Sequence, residues 1–252
     1  MRIQIIGTGI VGEATACLAK SFGHEVYGYD INPRQSPYYT NISSTGKSYD
    51  LTFVCVNETL VDGVVSELVG KGMSNIVIRS TTRPGTIKAL SEKCKVSLCH
   101  NPEFLREKTY LVDALTPPFV LIGTTDIPYK SLCGFYRPLQ DRCKIIYTDV
   151  TTSEMAKLTL NNYLATLITF WNQINEVCKT VGVDTESVAR VISNDSRVSS
   201  YGFTPCGEGF GGKCLPKDLV QLIDYGRSVG CNMSVMESIG IFNTRVRGLR
   251  PV

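Results

Sequence analysis

The sequence predicts an α/β protein: a doubly wound parallel sheet followed by a helical domain. Three observations carry that reading. Short apolar runs alternate with helical or loop stretches through the first half, as strand–helix–strand units do. A glycine-rich turn follows the first of those runs directly. Beyond about residue 150 the apolar residues recur at three- and four-residue steps instead.

The first strand is expected at 2–6. Gly7, Gly9 and Gly12 follow it and open a helical stretch at 13–20. Each glycine has a physical reason in a dinucleotide-binding turn: Gly7 for the tight bend, Gly9 for close approach of a pyrophosphate, Gly12 for packing of helix on strand. Ile10 and Val11 lie where the helix start offers unpaired N–H groups and a positive dipole to phosphate. A second strand at 25–29 delivers Asp30, a carboxylate suited to the adenosine ribose hydroxyls and repellent to a 2′-phosphate. NAD is therefore the expected cofactor, with Arg34 a further candidate at the ribose end. The alternative is a glycine-rich turn that only packs a strand–helix–strand unit. Further strands are expected at 51–56, 75–79, 96–100, 120–123 and 144–147. Several of these runs are continuously apolar, which suits strands covered on both faces. Together they predict a Rossmann-type domain over 1–150.

Residues 151–252 form the expected helical domain. Leu164, Leu167, Ile168, Trp171, Ile174 and Cys178 make one apolar stripe on a helix over 153–181, with Thr152 or Ser153 as its cap and Gly182 at its end. A second helix is expected at 184–192, then a glycine-rich loop at 201–212, then at least one helix from Lys217 towards Arg247.

Composition narrows the function. The 252 residues carry 26 basic and 23 acidic side chains, a net charge of +3 that gives no reason to expect nucleic acid. Arg245, Arg247 and Arg250 read as a solvated helix face. The ten cysteines show no CxxC spacing, so neither zinc nor a disulfide framework is expected, and nine read as small buried thiols. No signal peptide and no run of about 18 apolar residues is found, which excludes a membrane span and leads to the expectation of a cytoplasmic protein.

Cys214 is the exception among the cysteines. Four glycines (Gly207, Gly209, Gly211, Gly212) and Phe210 precede it, and a helix is expected to begin beside it. A thiol at a helix N-terminus favours its thiolate. Lys213 and Lys217 add positive charge, and Asp218 lies about one turn on, a carboxylate able to serve as a base. The alternative reading is an inert buried cysteine.

The stretch 209–218, GFGGKCLPKD, resembles the active-site segment of the UDP-glucose/GDP-mannose dehydrogenase family. So do Ser80-Thr81-Thr82-Arg83-Pro84-Gly85-Thr86, Asn101-Pro102-Glu103-Phe104-Leu105-Arg106-Glu107, and Ser153-Glu154-Met155-Ala156-Lys157 followed by Asn161. Val56-Asn57 starts a family turn that Glu58 interrupts. The matches run in family order along essentially the whole chain. The family's members usually carry a third, nucleotide-binding α/β domain; the present sequence stops at Val252, after the helix that would lead into it, and 30–51 is short for the family.

The resemblance implies a nucleotide-sugar substrate, with UDP-glucose expected, oxidised at C6 from alcohol to carboxylate with NAD through a thiohemiacetal and a thioester. It implies Cys214 as nucleophile, Lys157 and Asn161 as oxyanion partners, and Asp218 and Thr81 positioning water or hydroxyl. Glu103 would act as acid or base, supported by Glu107. Val56, Thr81 and Glu107 would also border the cofactor. Phe104, Leu105, Arg106, Tyr201, Phe210 and Gly211 would border the substrate, as would Arg197 reaching a second subunit. Leu219, Leu222, Ile223, Val235, Ile239 and Phe242 would form a homodimer core, or pack within the chain. Taken singly, Lys157 reads as a solvated helix lysine, Asn161 and Asn162 as surface amides, and Glu103 as a helix cap. Two other functions compete: a one-step β-hydroxyacid dehydrogenase, which uses no cysteine, and a non-catalytic protein that binds NAD and a nucleotide sugar.

Overall fold

The computed structural model describes residues 1–248 other than 47, 127–128, 200, 203–206 and 213. Lys213, Arg250 and Cys206 therefore lie outside the described residues. The chain divides into two compact units, Met1–Lys157 and Leu158–Val252. Each has its own apolar core.

The first unit is built on a sheet of eight strands among the described residues: β1 (Arg2–Ile6), β2 (Glu25–Tyr29), β3 (Thr40–Asn41), β4 (Leu51–Val54), β5 (Ile76–Ile78), β6 (Cys99–His100), β7 (Phe119–Thr124) and β8 (Lys144–Asp149). Their order is β3-β2-β1-β4-β5-β6-β7-β8, parallel throughout except for the antiparallel β6–β7 pair. Helices α1 (Ile10–Ser21), α2 (Val61–Gly70), α3 (Thr86–Cys94), α4 (Tyr110–Leu115) and α5 (Lys130–Tyr136) accompany the strands. The continuous apolar runs have a direct consequence. Because successive side chains alternate between faces, Ile3, Ile5 and Phe53 enter one core and Ile6, Val54 and Ile78 the other. The chain order reverses direction at β1, whose neighbours are β2 and β4, so a crevice opens at the C-terminal ends of β1 and β4.

Several strands are shorter than the sequence predicts: the runs at 51–56, 75–79 and 96–100 yield strands of four, three and two residues. The trimmed ends form the turns that carry polar side chains. β3 was not expected; it is two residues long and exposed, without an apolar pattern to announce it.

Helix α6 (Val150–Val181) starts three residues before the expected position, and neither Thr152 nor Ser153 is its cap. Asp149 takes that role, accepting the Thr152 N–H at 2.9 Å and the Thr152 hydroxyl at 2.5 Å. In the second unit, α6 is followed by α7 (Thr185–Ile192), within the expected span of 184–192, with Asp184 as its cap. The stretch from Lys217 towards Arg247 is two helices, α8 (Cys214–Ser228) and α9 (Ser234–Val246), divided at Gly230 with φ 79°. The expected stripe on α6 is only partly buried. Trp171 and Cys178 are buried, but Asn161, Asn162, Ala165, Asn172 and Asn175 are as well, while Leu164, Leu167 and Ile174 are half-buried. Amides occupy the buried face because backbone groups of loops and helix starts need partners there, as detailed below.

Candidate active site

The crevice of the first unit is a cleft of about 320 Å³ lined by Gly7, Gly9, Asp30, Ile31, Val56 and Leu60, among others. Gly7 adopts φ 88°, and a Cβ there would lie 2.6 Å from the Cys55 carbonyl oxygen. Only glycine satisfies both demands. A Cβ on Gly12 would collide with the Gly7 carbonyl, so helix and turn pack too closely for any side chain. At Gly9, by contrast, a Cβ would meet nothing within 4 Å, so the helix entry is open. Ile10 is exposed and Val11 half-buried on that rim. Asp30 stands opposite. Its Oδ2 accepts the Thr8 N–H at 2.7 Å and its Oδ1 the Asn32 N–H at 2.9 Å. Partial burial pushes its carboxyl up, but the Asn32 and Thr8 donors and the nearby Arg34 charge bring it below the usual range. It is therefore ionised at neutral pH with lone pairs to spare, which fits a dinucleotide's ribose hydroxyls.

Glu103 and Lys157 meet in the same unit. Glu103 follows β6 and Lys157 lies on α6; they are 8% and 3% exposed, and Lys157 Nζ is 3.0 Å from Glu103 Oε1. Lys157 is therefore not a solvated helix lysine. Glu103 Oε2 accepts the Leu105 N–H at 2.7 Å, and Lys157 Nζ lies 5.3 Å from the centre of the Phe104 ring. Burial raises the Glu103 carboxyl, yet the Lys157 charge, the Leu105 N–H and the Arg79 charge together lower it below its usual value. Glu103 is thus ionised at neutral pH and able to accept a proton from a substrate.

A buried polar frame stands behind these groups. Ser80 donates to the Val56 carbonyl at 2.7 Å, tying the turn after β5 to the rim of the cleft. His100 Nδ1 pairs with Ser153 Oγ at 2.9 Å, and burial holds the imidazole down at about 3, hence neutral. Glu154, fully buried, accepts the Thr82 hydroxyl at 2.8 Å, the Gly85 N–H at 2.7 Å and the Ile87 N–H at 3.0 Å. Arg79 is buried beside Asn101 and Tyr136, donating to both.

The second unit presents Cys214 exposed at the first position of α8. Asp218, one turn on, is 1% exposed. Its Oδ2 accepts from Asn161 Nδ2 at 2.5 Å, its Oδ1 lies 2.8 Å from Lys217 Nζ, and its backbone carbonyl accepts from Asn162 at 3.1 Å. Asn161 and Asn162 are thus buried anchors of α8 and not surface amides. The glycine loop is also held by amides. Asn172 accepts the Gly207 N–H at 2.5 Å, and Asn243 accepts the Phe210 N–H at 2.7 Å while donating to its carbonyl at 3.0 Å. A Cβ at Gly209 would lie 2.7 Å from Asn243 Oδ1, which is why the loop needs glycine there. The Phe210 side chain packs in the core with Ala165, Leu219 and Ile239, and Gly211 runs beside the Arg247 guanidinium.

The remaining expected residues are dispersed. Thr81 is half-buried on the turn after β5; Leu105 is half-buried; Glu107 is exposed. Arg106 is exposed and clasped by Asp113, 2.6 Å from Nη2 to Oδ1. Arg197 is exposed and paired with Asp195 at 2.6 Å, and Tyr201 is exposed. Of the other cysteines, Cys17, Cys99 and Cys178 are buried as expected. Cys55, Cys94, Cys133 and Cys143 are half-buried and Cys231 exposed. Sequence reasoning gave no role to Arg79, Glu154, Asn172 or Asn243. Glu154 stood inside a quoted motif, and Arg79 directly precedes another; adjacency was the one sign. Among the described residues no cluster of His, Cys, Asp and Glu could hold a metal, and no helix is long and apolar enough to cross a membrane.

Residues 38–140 match the UDP-glucose/GDP-mannose dehydrogenase family, NAD binding domain, and residues 151–245 its central domain. The chain is 32% identical over 301 residues to GDP-mannose 6-dehydrogenase of Pseudomonas syringae pv. syringae, covering 97% of this chain and 68% of that protein. It is 29% identical over 290 residues to UDP-glucose 6-dehydrogenase YwqF of Bacillus subtilis (strain 168), covering 95% and 65%. It thus spans about two thirds of the length of these relatives. A UDP-glucose dehydrogenase structure from the archaeon Pyrobaculum islandicum superposes with a TM-score of 0.84 at 26% identity, over 98% of this chain and 68% of that one. The eight-stranded, mostly parallel sheet and the helical unit thus match the architecture the sequence predicts. NAD is the cofactor of the matching domain.

Proposed function

This chain belongs to the UDP-glucose/GDP-mannose dehydrogenase family, and on that premise we propose that it oxidises the C6 alcohol of a nucleotide sugar, UDP-glucose, to the carboxylate in two NAD-dependent steps. The observation that carries the reading is Cys214, exposed at the first residue of α8 with the buried Asp218 one turn behind it. A binding module has no use for a thiol so placed, and a one-step alcohol oxidation needs no nucleophile.

NAD, bound over Gly9 and Asp30, would accept one hydride in each step. The chain's own groups account for the rest. Glu103, ionised beside Lys157, takes the proton of the C6 hydroxyl as the aldehyde forms. The Cys214 thiolate then attacks the aldehyde carbon, and the new C–S bond gives a thiohemiacetal whose oxyanion is met by Lys157 and Asn161. Loss of the second hydride leaves a thioester. Water, oriented by Asp218 and Thr81, breaks the C–S bond, releasing the carboxylate and restoring the thiol. Phe104, Leu105 and Arg106 border the sugar nucleotide, and Arg197 serves a second subunit's site. Val235, Phe242 and Phe170, lining a groove of about 470 Å³ on the helical unit, supply apolar surface for a homodimer.

The test is to count NADH per sugar with UDP-glucose limiting, beside Cys214→Ala. Two NADH per sugar, lost in the variant, is the expected result. One NADH per molecule of a small hydroxyacid would replace this reading with the one-step reaction. NAD binding without turnover on UDP-glucose or GDP-mannose would leave a binding role. A monomer by light scattering at micromolar concentration would remove the dimer.

A further inference from the structure

Glu154 has no part in the chemistry above, yet its carboxylate is fully buried and accepts three hydrogen bonds. It lies on α6, one turn before Lys157, and forms no ion pair among the described residues. Instead, Oε1 accepts the Thr82 hydroxyl and the Ile87 N–H, and Oε2 accepts the Gly85 N–H. Those three donors belong to the turn at 80–86 and the first residues of α3. The other end of the turn is fixed by Ser80 on the Val56 carbonyl, at the cleft rim. Thr81 lies between the two fastenings.

We propose that Glu154 is a positioning residue: its carboxylate fastens the Thr81 turn to the helix that carries Lys157, and so sets the cofactor-facing edge of the site. The proposal rests on the reading that Thr81 borders bound NAD. It has a chemical consequence. All three partners donate, so a proton on Oε2 displaces the Gly85 N–H, and a proton on Oε1 turns the Thr82 hydroxyl from donor to acceptor; in either case the charge-assisted bonds to the turn weaken. Thr82 can reverse its hydroxyl; the amides cannot.

Burial pushes the Glu154 carboxyl up, the three donors hold it down, and Asp149 at the start of the same helix adds to the rise, leaving it at about 7. Ionisable groups near it on the packed elements include Arg83 in the turn, Lys88, Glu92 and Lys93 on α3, Asp149 and Lys157 at the start of α6, and His100 on β6, which burial keeps neutral near about 3. The fastening therefore loosens as pH falls through neutrality. Its effect on folding runs the other way. A folded carboxyl at about 7 against an unfolded 4.5 favours the protonated fold, so this contribution to stability declines as pH rises through that window. Cofactor affinity and fold stability are thus expected to change in opposite directions between about pH 5 and about pH 7.

The experiment measures NAD affinity by calorimetry, and exchange of the Gly85 and Ile87 amides by NMR, from about pH 5.5 to about pH 8.5. It compares the full chain with Glu154→Gln and Thr82→Val. In the parent, affinity rises and both amides become protected across neutrality. Glu154→Gln, which places an NH2 against an N–H, binds NAD about tenfold more weakly at the upper end and shows no such pH step. Thr82→Val, which removes one donor to the carboxylate and retains the fold if Glu154→Gln does not, moves the step to higher pH. A parent-like pH step in either folded variant overturns the proposal. A parent chain that binds no NAD at any pH instead removes the reading of the preceding subsection; the two amides then decide the proposal alone, with protection independent of pH overturning it.

Discussion

The two units hold their candidate catalytic groups by different means. In the sheet unit, charge is countered by charge: Glu103 and Lys157 are buried together at 3.0 Å, with Arg79 near enough to keep Glu103 ionised. In the helical unit, beside the Lys217–Asp218 ion pair at 2.8 Å, amides do most of the holding. Asn161 and Asn162 grip Asp218, while Asn172 and Asn243 grip the glycine loop that precedes Cys214. The difference follows from what each must present. A proton-transfer group needs a defined charge, which a buried counter-ion supplies. A nucleophile on a loop needs a defined backbone path, and an asparagine that both donates and accepts imitates a strand partner for one residue, as Asn243 does for Phe210.

The comparison can be broken at four points, from the largest expected effect to the smallest. Cys214→Ala should lower turnover by about a thousandfold or more. Because Cys214 is exposed, its unfolding midpoint and NAD affinity should match the parent's. A large loss of stability would mean the thiol is structural. Lys157→Met should cost about 3–5 kcal/mol by urea unfolding, since it strands a buried carboxylate. The pH dependence should also change sign. The parent's Glu103 lies below its usual 4.5, so its contribution is present above that pH and lost as pH falls through the lowered value. Without Lys157, burial dominates and the carboxyl rises above 4.5, so stability is instead lost as pH rises. Pairing Lys157→Met with Glu103→Gln should recover most of the loss.

Asn243→Ala tests the amide side. It leaves the Phe210 N–H and carbonyl buried without partners, for about 2–3 kcal/mol. Asn243→Asp keeps the acceptor and should retain about half of that stability, with turnover reduced in both variants. Parent-like turnover in Asn243→Ala would show that the loop is held elsewhere. The smallest effect is expected at the cleft. Asp30→Ala should weaken NAD about tenfold, about 1.4 kcal/mol, and narrow the preference over NADP, as read by titration with each dinucleotide.

Much of this was legible beforehand, unevenly. Seven of the eight described strands stood out as apolar runs between turns, and both cores draw on those runs. The dinucleotide turn was legible because Gly7, Gly12 and Asp30 answer local demands within a single strand–helix–strand unit. Cys214 stood out through its glycines. The cap of α6 was misread because three candidates, Asp149, Thr152 and Ser153, stand within five residues, and the helix start was placed too late. The number of helices after Lys217 stayed open because Gly230 resembles any tolerated helical glycine until its φ of 79° is known.

By itself the sequence determined seven of the strands in order, the glycine turns, the long helix after the sheet and the presence of every candidate catalytic side chain. All of these depend on spacing over a few residues, where steric and hydrogen-bonding rules act locally. Tertiary structure alone decided which polar side chains are buried and what each one meets. Asn161 finds Asp218 across 57 residues and Thr82 finds Glu154 across 72. An asparagine or glutamate reads the same in sequence whether water or protein surrounds it. Only the fold removes the water, and a buried polar group must then be paired or destabilise the structure that holds it.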